Sequence, residues 1–146
     1  MEAPISLFHS FFSKIISFKE QQHCAERRHI FMKPVVKEDV QKEISRLAGK
    51  NVFVHLETTN GAYASHFDES FFSAGAYIRN ASLKYELGKI TGDGPFRVGL
   101  KMEFGWVYAE GITHFEVDEI GRLLMAGHDN SGKLAVALQI SETPFE

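Results

Sequence analysis

The sequence contains one cysteine among its 146 residues, Cys24. From residue 32 onward the chain therefore has no thiol. This absence excludes disulfides, cysteine-ligated zinc and cysteine nucleophiles from that part of the protein. The P-loop, GxGxxG, GxSxG and HExxH motifs are also absent, although the chain has 12 glycines. No complete catalytic set can be recognised by spacing alone.

Positive charge is not in excess. The chain has 16 Lys and Arg against 19 Asp and Glu, a formal net charge of −3, and no basic block. Nucleic-acid binding requires such a block, because an acidic domain is repelled by phosphate. No apolar run is long enough to span a bilayer. We therefore predict a cytoplasmic protein that binds neither nucleic acid nor membrane.

The first 31 residues differ in pattern from the rest. Phe8, Phe12 and Ile15 recur at helical spacing, as in a membrane-surface helix, but the polar side has few basic residues. The start also lacks the features of a signal peptide. Arg27-Arg28 can be encoded by AGGAGG, a ribosome-binding sequence placed shortly before Met32. We interpret residues 1–31 as a translated leader or disordered extension, and residues 32–146 as a single domain.

One helix is predicted near the start of this domain. Val40, Ile44 and Leu47 recur at i, i+4 and i+7 from Lys37 onward. Gly49 is placed to cap the helix at its carboxyl end. Because the apolar stripe is narrow, we expect the helix to cover one edge or end of a larger structure.

Alternation of apolar and polar residues runs through most of the chain after Asn51. In residues 52–57 it predicts a wet face that carries His55 and Glu57, and in residues 81–87 a dry face that carries Tyr85 and Leu87. Turn-forming residues recur about every ten to twelve positions, as in antiparallel sheets. We predict a mainly β fold: an antiparallel meander that closes as a barrel, half-barrel or sandwich, with one N-terminal helix.

A metal site is one hypothesis from the hairpin pattern. If Asn60-Gly61 forms a two-residue turn, the register places His55 opposite His66. Opposed side chains have β-carbons about 4.5–5.5 Å apart, from which two imidazoles can reach one ion. Glu57 points to the same face, so His55, His66 and Glu57 could hold zinc or iron. The alternative is that both histidines are hydrogen-bonding residues on a wet face.

Further candidate ligand or interface residues follow in the sequence: Trp106, Tyr108, Glu110, His114 and His128. In an unbroken strand Glu110 and His114 would be roughly 13 Å apart, too far to share an ion or a proton. A bulge at Gly111 would shorten this distance. Asp129 and Asn130, after His128, are explained by turn chemistry, because such side chains bond their own backbone.

Five segments carry a family resemblance: HLETTNGAYASH at 55–66, AYIRN at 76–80, GWVYAEG at 105–111, THF at 113–115 and LLMAGHD at 123–129. Through them the chain, from about Met32 to its end, resembles the YojF family of small uncharacterised proteins from Bacillus-type bacteria. Members of that family look like companions of a deacetylase that serves bacillithiol synthesis. The resemblance implies a role beside low-molecular-weight thiol metabolism and supplies that deacetylase as a candidate partner.

Two functions from different classes remain open. The first is a non-enzymatic binding or accessory protein, which fits the absence of a recognisable catalytic set. The second is a small metal-dependent enzyme or metal-binding protein that uses His55, His66 and Glu57, with His114 or His128 as further ligands. We also predict a homo-oligomer, because residues 106–117 alternate apolar groups on both faces and the second face must be buried against something.

Overall fold

The fold comes from a computed structural model, which describes residues 32–59 and 74–146. The predicted leader, residues 1–31, and the predicted Asn60-Gly61 turn lie outside the described residues. Within them there is one helix, α1, Lys37–Leu47. The strands in chain order are β1 Lys33–Pro34, β2 Val52–Thr59, β3 Gly75–Leu83, β4 Tyr85–Thr91, β5 Phe96–Met102, β6 Trp106–Ile112, β7 His114–Val117, β8 Leu123–His128 and β9 Leu134–Ser141.

The strands form two antiparallel sheets. The larger has six strands in the order β1-β7-β8-β9-β2-β3, and the smaller has three in the order β4-β5-β6. One apolar core joins both sheets and the helix, and its members include Ile44, Val54, Leu100, Met125 and Leu138. The mainly β prediction with one N-terminal helix is confirmed. Neither sheet closes on itself within the described strands, so the closed barrel is wrong and the half-barrel or sandwich form of the prediction fits.

The helix forms where the apolar spacing predicts it. Val40, Ile44 and Leu47 are all completely buried. The helix packs on β4 at Gly88, where an added β-carbon would lie 2.2 Å from Cγ2 of Ile44. No residue larger than glycine fits there without moving the helix. The helix therefore covers the smaller sheet, and it is too short and polar to cross a membrane.

Gly49 follows the helix with a φ of +78°. Its N–H donates to the carbonyl of Tyr85 at 2.8 Å instead of to a carbonyl of the helix. Gly49 thus turns the chain after the helix as predicted, but its hydrogen bond joins the helix end to β4 instead of closing the helix itself. The hydroxyl of Tyr85 reinforces this link by donating to the carbonyl of Ile44 at 2.5 Å.

A Tyr85→Phe variant should be less stable at neutral pH, by about 1.5 kcal/mol, because the buried Ile44 carbonyl loses its donor. Burial raises the pKa of Tyr85 above its ordinary 10.0. A raised folded-state pKa stabilises the fold below the ordinary value, and that contribution is lost as pH rises beyond it, by about 1.4 kcal/mol per pH unit. Urea unfolding between pH 7 and 11 should show the two proteins converging above about pH 10. Parallel stability curves would contradict this.

The prediction that Leu87 lies on the dry face is wrong. The pairing of β4 with β5 shifts between Tyr85, opposite Met102, and Leu87, opposite Lys101. The extra residue in this bulge reverses the alternation, so Leu87 turns outward and is 56% exposed. Gly88 takes its place against the helix.

Candidate functional site

The larger sheet has a second face, opposite the core, which we call the distal face. Directly paired residues share a face, and one row of pairs crosses five strands. That row is His114, Ala126, Ala137, Glu57 and Tyr77. Small alanines in the middle thus separate polar side chains on either side. The polar side chains that could bind a ligand lie near the two ends of this row.

At one end lies a His55–Glu57 pair. Nε2 of His55 is 3.2 Å from Oε2 of Glu57. His55 is 5% exposed and Glu57 is 2% exposed, so the prediction that both lie on a solvent-exposed face is wrong. The alternation itself is correct, because His55 pairs with Gln139 and Glu57 with Ala137 on the distal face. β2 is an interior strand, and the distal face is covered at this point.

The predicted hairpin register is also wrong. It pairs Thr58 with Tyr63, whereas the structure pairs Thr58 with Ala76 and Glu57 with Tyr77. The other side of β2 is occupied by β9. His55 therefore has no neighbouring strand on which His66 could face it. His66 lies outside the described residues, and the proposed His55, His66 and Glu57 ligand set remains a prediction without the register that motivated it.

The charge of Glu57 acts on two residues of β3. Burial raises the pKa of Tyr77, and the Glu57 carboxylate raises it further. Burial lowers the pKa of Arg79, while Glu57 acts in the opposite direction and Arg122 reinforces the lowering. Glu57 therefore lies close enough to the Tyr77 phenol and the Arg79 guanidinium to act on both electrostatically.

A bulge in β3 faces His55. Val54 pairs with Ala81 and Leu56 with Ile78, so two residues, Arg79 and Asn80, stand opposite one. Asn80 has a φ of +54°. Asparagine tolerates this left-handed conformation better than most residues. The bulge frees the Asn80 amide, which accepts from the N–H of Phe145 and donates to its carbonyl, each at 2.6 Å.

At the other end of the row, His114 and His128 lie together. The bulge considered at Gly111 is present: Phe96 pairs with Ile112 but Arg97 with Glu110, and Gly111 has a φ of +95°. After it the chain leaves the smaller sheet, and His114 starts β7 of the larger one. Glu110 stays exposed on the smaller sheet. The structure therefore separates Glu110 from His114.

The two imidazoles make an edge-to-face contact with ring centroids 5.3 Å apart. Thr113 supports both residues. Its Oγ1 lies 2.7 Å from Nδ1 of His114 and accepts from the N–H of His128 at 3.2 Å. It also lies 3.4 Å from the carbonyl of Ala126. Both histidine side chains are half-buried, so solvent can reach them.

Trp106 and Tyr108 lie on the outer face of the smaller sheet. Their rings stack at 6° with centroids 5.4 Å apart. Arg97 lies over the Tyr108 ring at 4.5 Å and Lys101 over the Trp106 ring at 5.9 Å. We call these four residues the outer aromatic patch. Gly99 makes room for it, because an added β-carbon would be 3.0 Å from the Tyr108 ring.

Comparison with known proteins shows the family of this chain. A family model described as "Protein of unknown function (DUF1806)" matches residues 34–145. "Uncharacterized protein YojF" of Bacillus subtilis (strain 168) is 57% identical over 114 residues, which cover 78% of this chain and 98% of the relative. The chain belongs to the YojF family. The crystal structure of Bacillus subtilis YojF protein matches with a TM-score of 0.68 and 54% identity, covering 79% of this chain and 97% of that one.

Membership confirms the resemblance drawn from the five sequence segments. It does not assign chemistry to any residue of the YojF fold. Among residues 32–59 and 74–146, no three His, Cys, Asp or Glu side chains are grouped to hold one metal ion. The structure brings together His55 with Glu57, His114 with His128, and Trp106 with Tyr108.

The His114–His128 contact was not predicted from the sequence, although the sequence contains a signal for it. The turn at residues 118–121 sets the register of β7 with β8, in which His114 pairs with Ala126. His128 is then the diagonal neighbour of His114, within reach of an aromatic side chain. Counting outward from that turn would have found the pair.

Proposed function

We propose that this member of the YojF family is a non-enzymatic accessory protein that binds another protein through the outer aromatic patch. One observation carries the proposal: Trp106 and Tyr108 stack on each other while remaining 48% and 46% exposed. Trp, Tyr and Arg are the residues that most often dominate the free energy of binding at protein interfaces. Aromatic side chains have few rotatable bonds, so they lose little conformational entropy when a partner covers them.

The charge of this face favours an acidic partner. Besides Arg97 and Lys101 of the patch, Lys89 pairs with Gly99 and lies on the same face, and Glu110 pairs with Arg97. Three positive groups against one negative group give a local positive charge on a chain of net charge −3. Two copies facing each other here would oppose like charges. The predicted homo-oligomer remains a prediction, and we expect it to use another surface.

The partner we propose is the bacillithiol-type deacetylase that the family resemblance suggested, with both proteins in the cytoplasm. In this arrangement the deacetylase performs the reaction, and the present protein holds it or completes its structure. A stable complex should bury at least about 1,000 Å². The outer aromatic patch should lie near its centre.

The test is to mix the full chain with the deacetylase of the same organism and to measure mass by light scattering and affinity by calorimetry. We expect a heavier species, and an affinity at least about 30-fold weaker for Trp106→Ala or Tyr108→Ala, the loss of a central interface residue. The control is Ile120→Ala, which removes a side chain that is 67% exposed in the turn between β7 and β8 of the larger sheet. No complex at about 50 µM, together with an unchanged deacetylase rate, would contradict the proposal.

The alternative metal-dependent function has less support. Its His55–Glu57 pair is in contact, but both side chains are buried, and the described strands paired with β2 are β3 and β9, which is not the register that would place His66 opposite His55. A zinc or iron site there remains a prediction. Titration of the His55→Gln variant with zinc chloride tests it.

A further inference from the structure

The distance between the His114 and His128 rings suits two ligands of one metal ion. Two imidazoles that bind one tetrahedral zinc through nitrogens at about 2.0–2.1 Å have centroids roughly 5 Å apart. The observed separation is 5.3 Å, with the ring planes at 81°. Edge-to-face packing of aromatic rings covers the same range of distances. A second observation is therefore needed to decide between packing and ligation.

Thr113 supplies that observation. A hydroxyl has one proton and two acceptor sites. Oγ1 of Thr113 satisfies all its contacts only if it donates to the Ala126 carbonyl and accepts from both the His128 N–H and Nδ1–H of His114. The neutral His114 ring then carries its proton on Nδ1, and Nε2 holds a free lone pair. Metal-binding histidines are usually held in this way, with the second ring nitrogen donating to a fixed acceptor.

The surroundings also suit a cation. His114 and His128 are half-buried, in contrast to His55 at 5% exposure, so an ion can reach them from solvent without opening the fold. Strands β7 and β8 pair directly, which fixes the two backbones relative to each other. Two neutral imidazoles favour zinc, copper or nickel over magnesium or calcium, which prefer oxygen ligands.

We propose that His114 and His128 bind one divalent transition-metal ion, that Thr113 is a positioning residue for His114, and that water fills the remaining coordination positions. The site lies on the larger sheet, whereas the proposed docking surface lies on the smaller one. This proposal therefore does not rest on the accessory function, and either one can fail without the other.

Calorimetric titration of the metal-free full chain with zinc chloride is the first experiment. We expect His114→Asn and His128→Asn each to weaken zinc binding by at least about tenfold, and Thr113→Val by about 10–100-fold with recovery in Thr113→Ser. The matched control is His9→Asn, which removes a histidine of residues 1–31 and should leave zinc binding unchanged. A His55→Gln variant is titrated beside these proteins. Magnesium chloride should give no binding heat.

Nitrogen-15 NMR of the histidine rings makes the test independent of any variant that fails to fold. In the metal-free wild type, His114 should show the tautomer with the proton on Nδ1. Zinc should shift Nε2 of His114 and one ring nitrogen of His128 together. The Thr113→Val variant should lose the single tautomer, an effect that a merely structural role for Thr113 would not produce.

Three results would overturn the proposal. One is excess zinc that leaves both ring signals unmoved. Another is zinc affinity that is the same in the wild type, His114→Asn and His128→Asn. The third is binding lost in His55→Gln but kept in the other variants, which would place the ion at the His55–Glu57 pair instead.

Discussion

Replacing Gly127 by alanine should lower the free energy of unfolding by about 3 kcal/mol, the upper part of the range for overpacking a core. An added β-carbon would lie 2.0 Å from the carbonyl oxygen of Gly111 and 2.7 Å from Cγ1 of Val136. Because the nearest atom belongs to the backbone, rotation of a side chain cannot relieve the contact. Thermal unfolding should show a melting temperature lower by about 12 °C or more.

Gly99→Ala is the matched control for this change. Its added β-carbon would also be close to a neighbour, at 3.0 Å, but that neighbour is the half-exposed ring of Tyr108, which can move. We expect a loss of less than about 1 kcal/mol. Equal effects of the two alanines would show that the contact between Gly111 and Gly127 does not hold the two sheets together as the structure indicates.

The second large effect is expected from Phe145→Ala, which should destabilise the fold by about 3 kcal/mol. Phe145 is 5% exposed, although it is next to the last residue. Its ring lies against the guanidinium groups of Arg79 and Arg122, at 5.1 and 5.7 Å. Its backbone is held by the amide of Asn80 in both directions. Chemical denaturation with urea measures the loss directly.

Phe104→Ala provides the same chemical change at an exposed position, since Phe104 is 86% exposed. It should change stability by no more than about 0.5 kcal/mol. Asn80→Gly keeps the left-handed backbone but removes both hydrogen bonds to Phe145, and we expect about 2 kcal/mol from this loss. A Phe145→Ala protein as stable as the Phe104→Ala protein would mean that the C-terminal residues do not bind to the sheet.

Local signals were enough for several elements. The spacing of Val40, Ile44 and Leu47 predicted α1, because burial of one helical stripe is visible in any short window of sequence. The turn at Asp129 also formed as predicted, with its carboxylate accepting from the N–H groups of Ser131 and Lys133. Alternation predicted β5, whose Val98 and Leu100 are completely buried. Each of these depends on neighbours within a few residues.

Strand register and side-chain exposure could not be predicted from local signals. The bulge between Tyr85 and Leu87 changed the face on which Leu87 lies. The alternation of apolar and polar residues does not indicate where such an extra residue is inserted. The pairing of β2 with β3 and β9 replaced a hairpin that the Asn60-Gly61 signal favoured. A turn signal gives a probability for one local pairing, whereas the packed sheet selects among all the strands available.

The sequence by itself determined the family, the mainly β class and the helix, because these follow from residue identities and short-range periodicity. Only the tertiary structure decided that His55 and Glu57 are buried on an interior strand, that Glu110 and His114 belong to different sheets, and that His114 meets His128. The physical reason is that each of these contacts depends on how distant strands pair and on which face a bulge turns. Those choices are made by packing of the whole core, and no local stretch of the chain contains them.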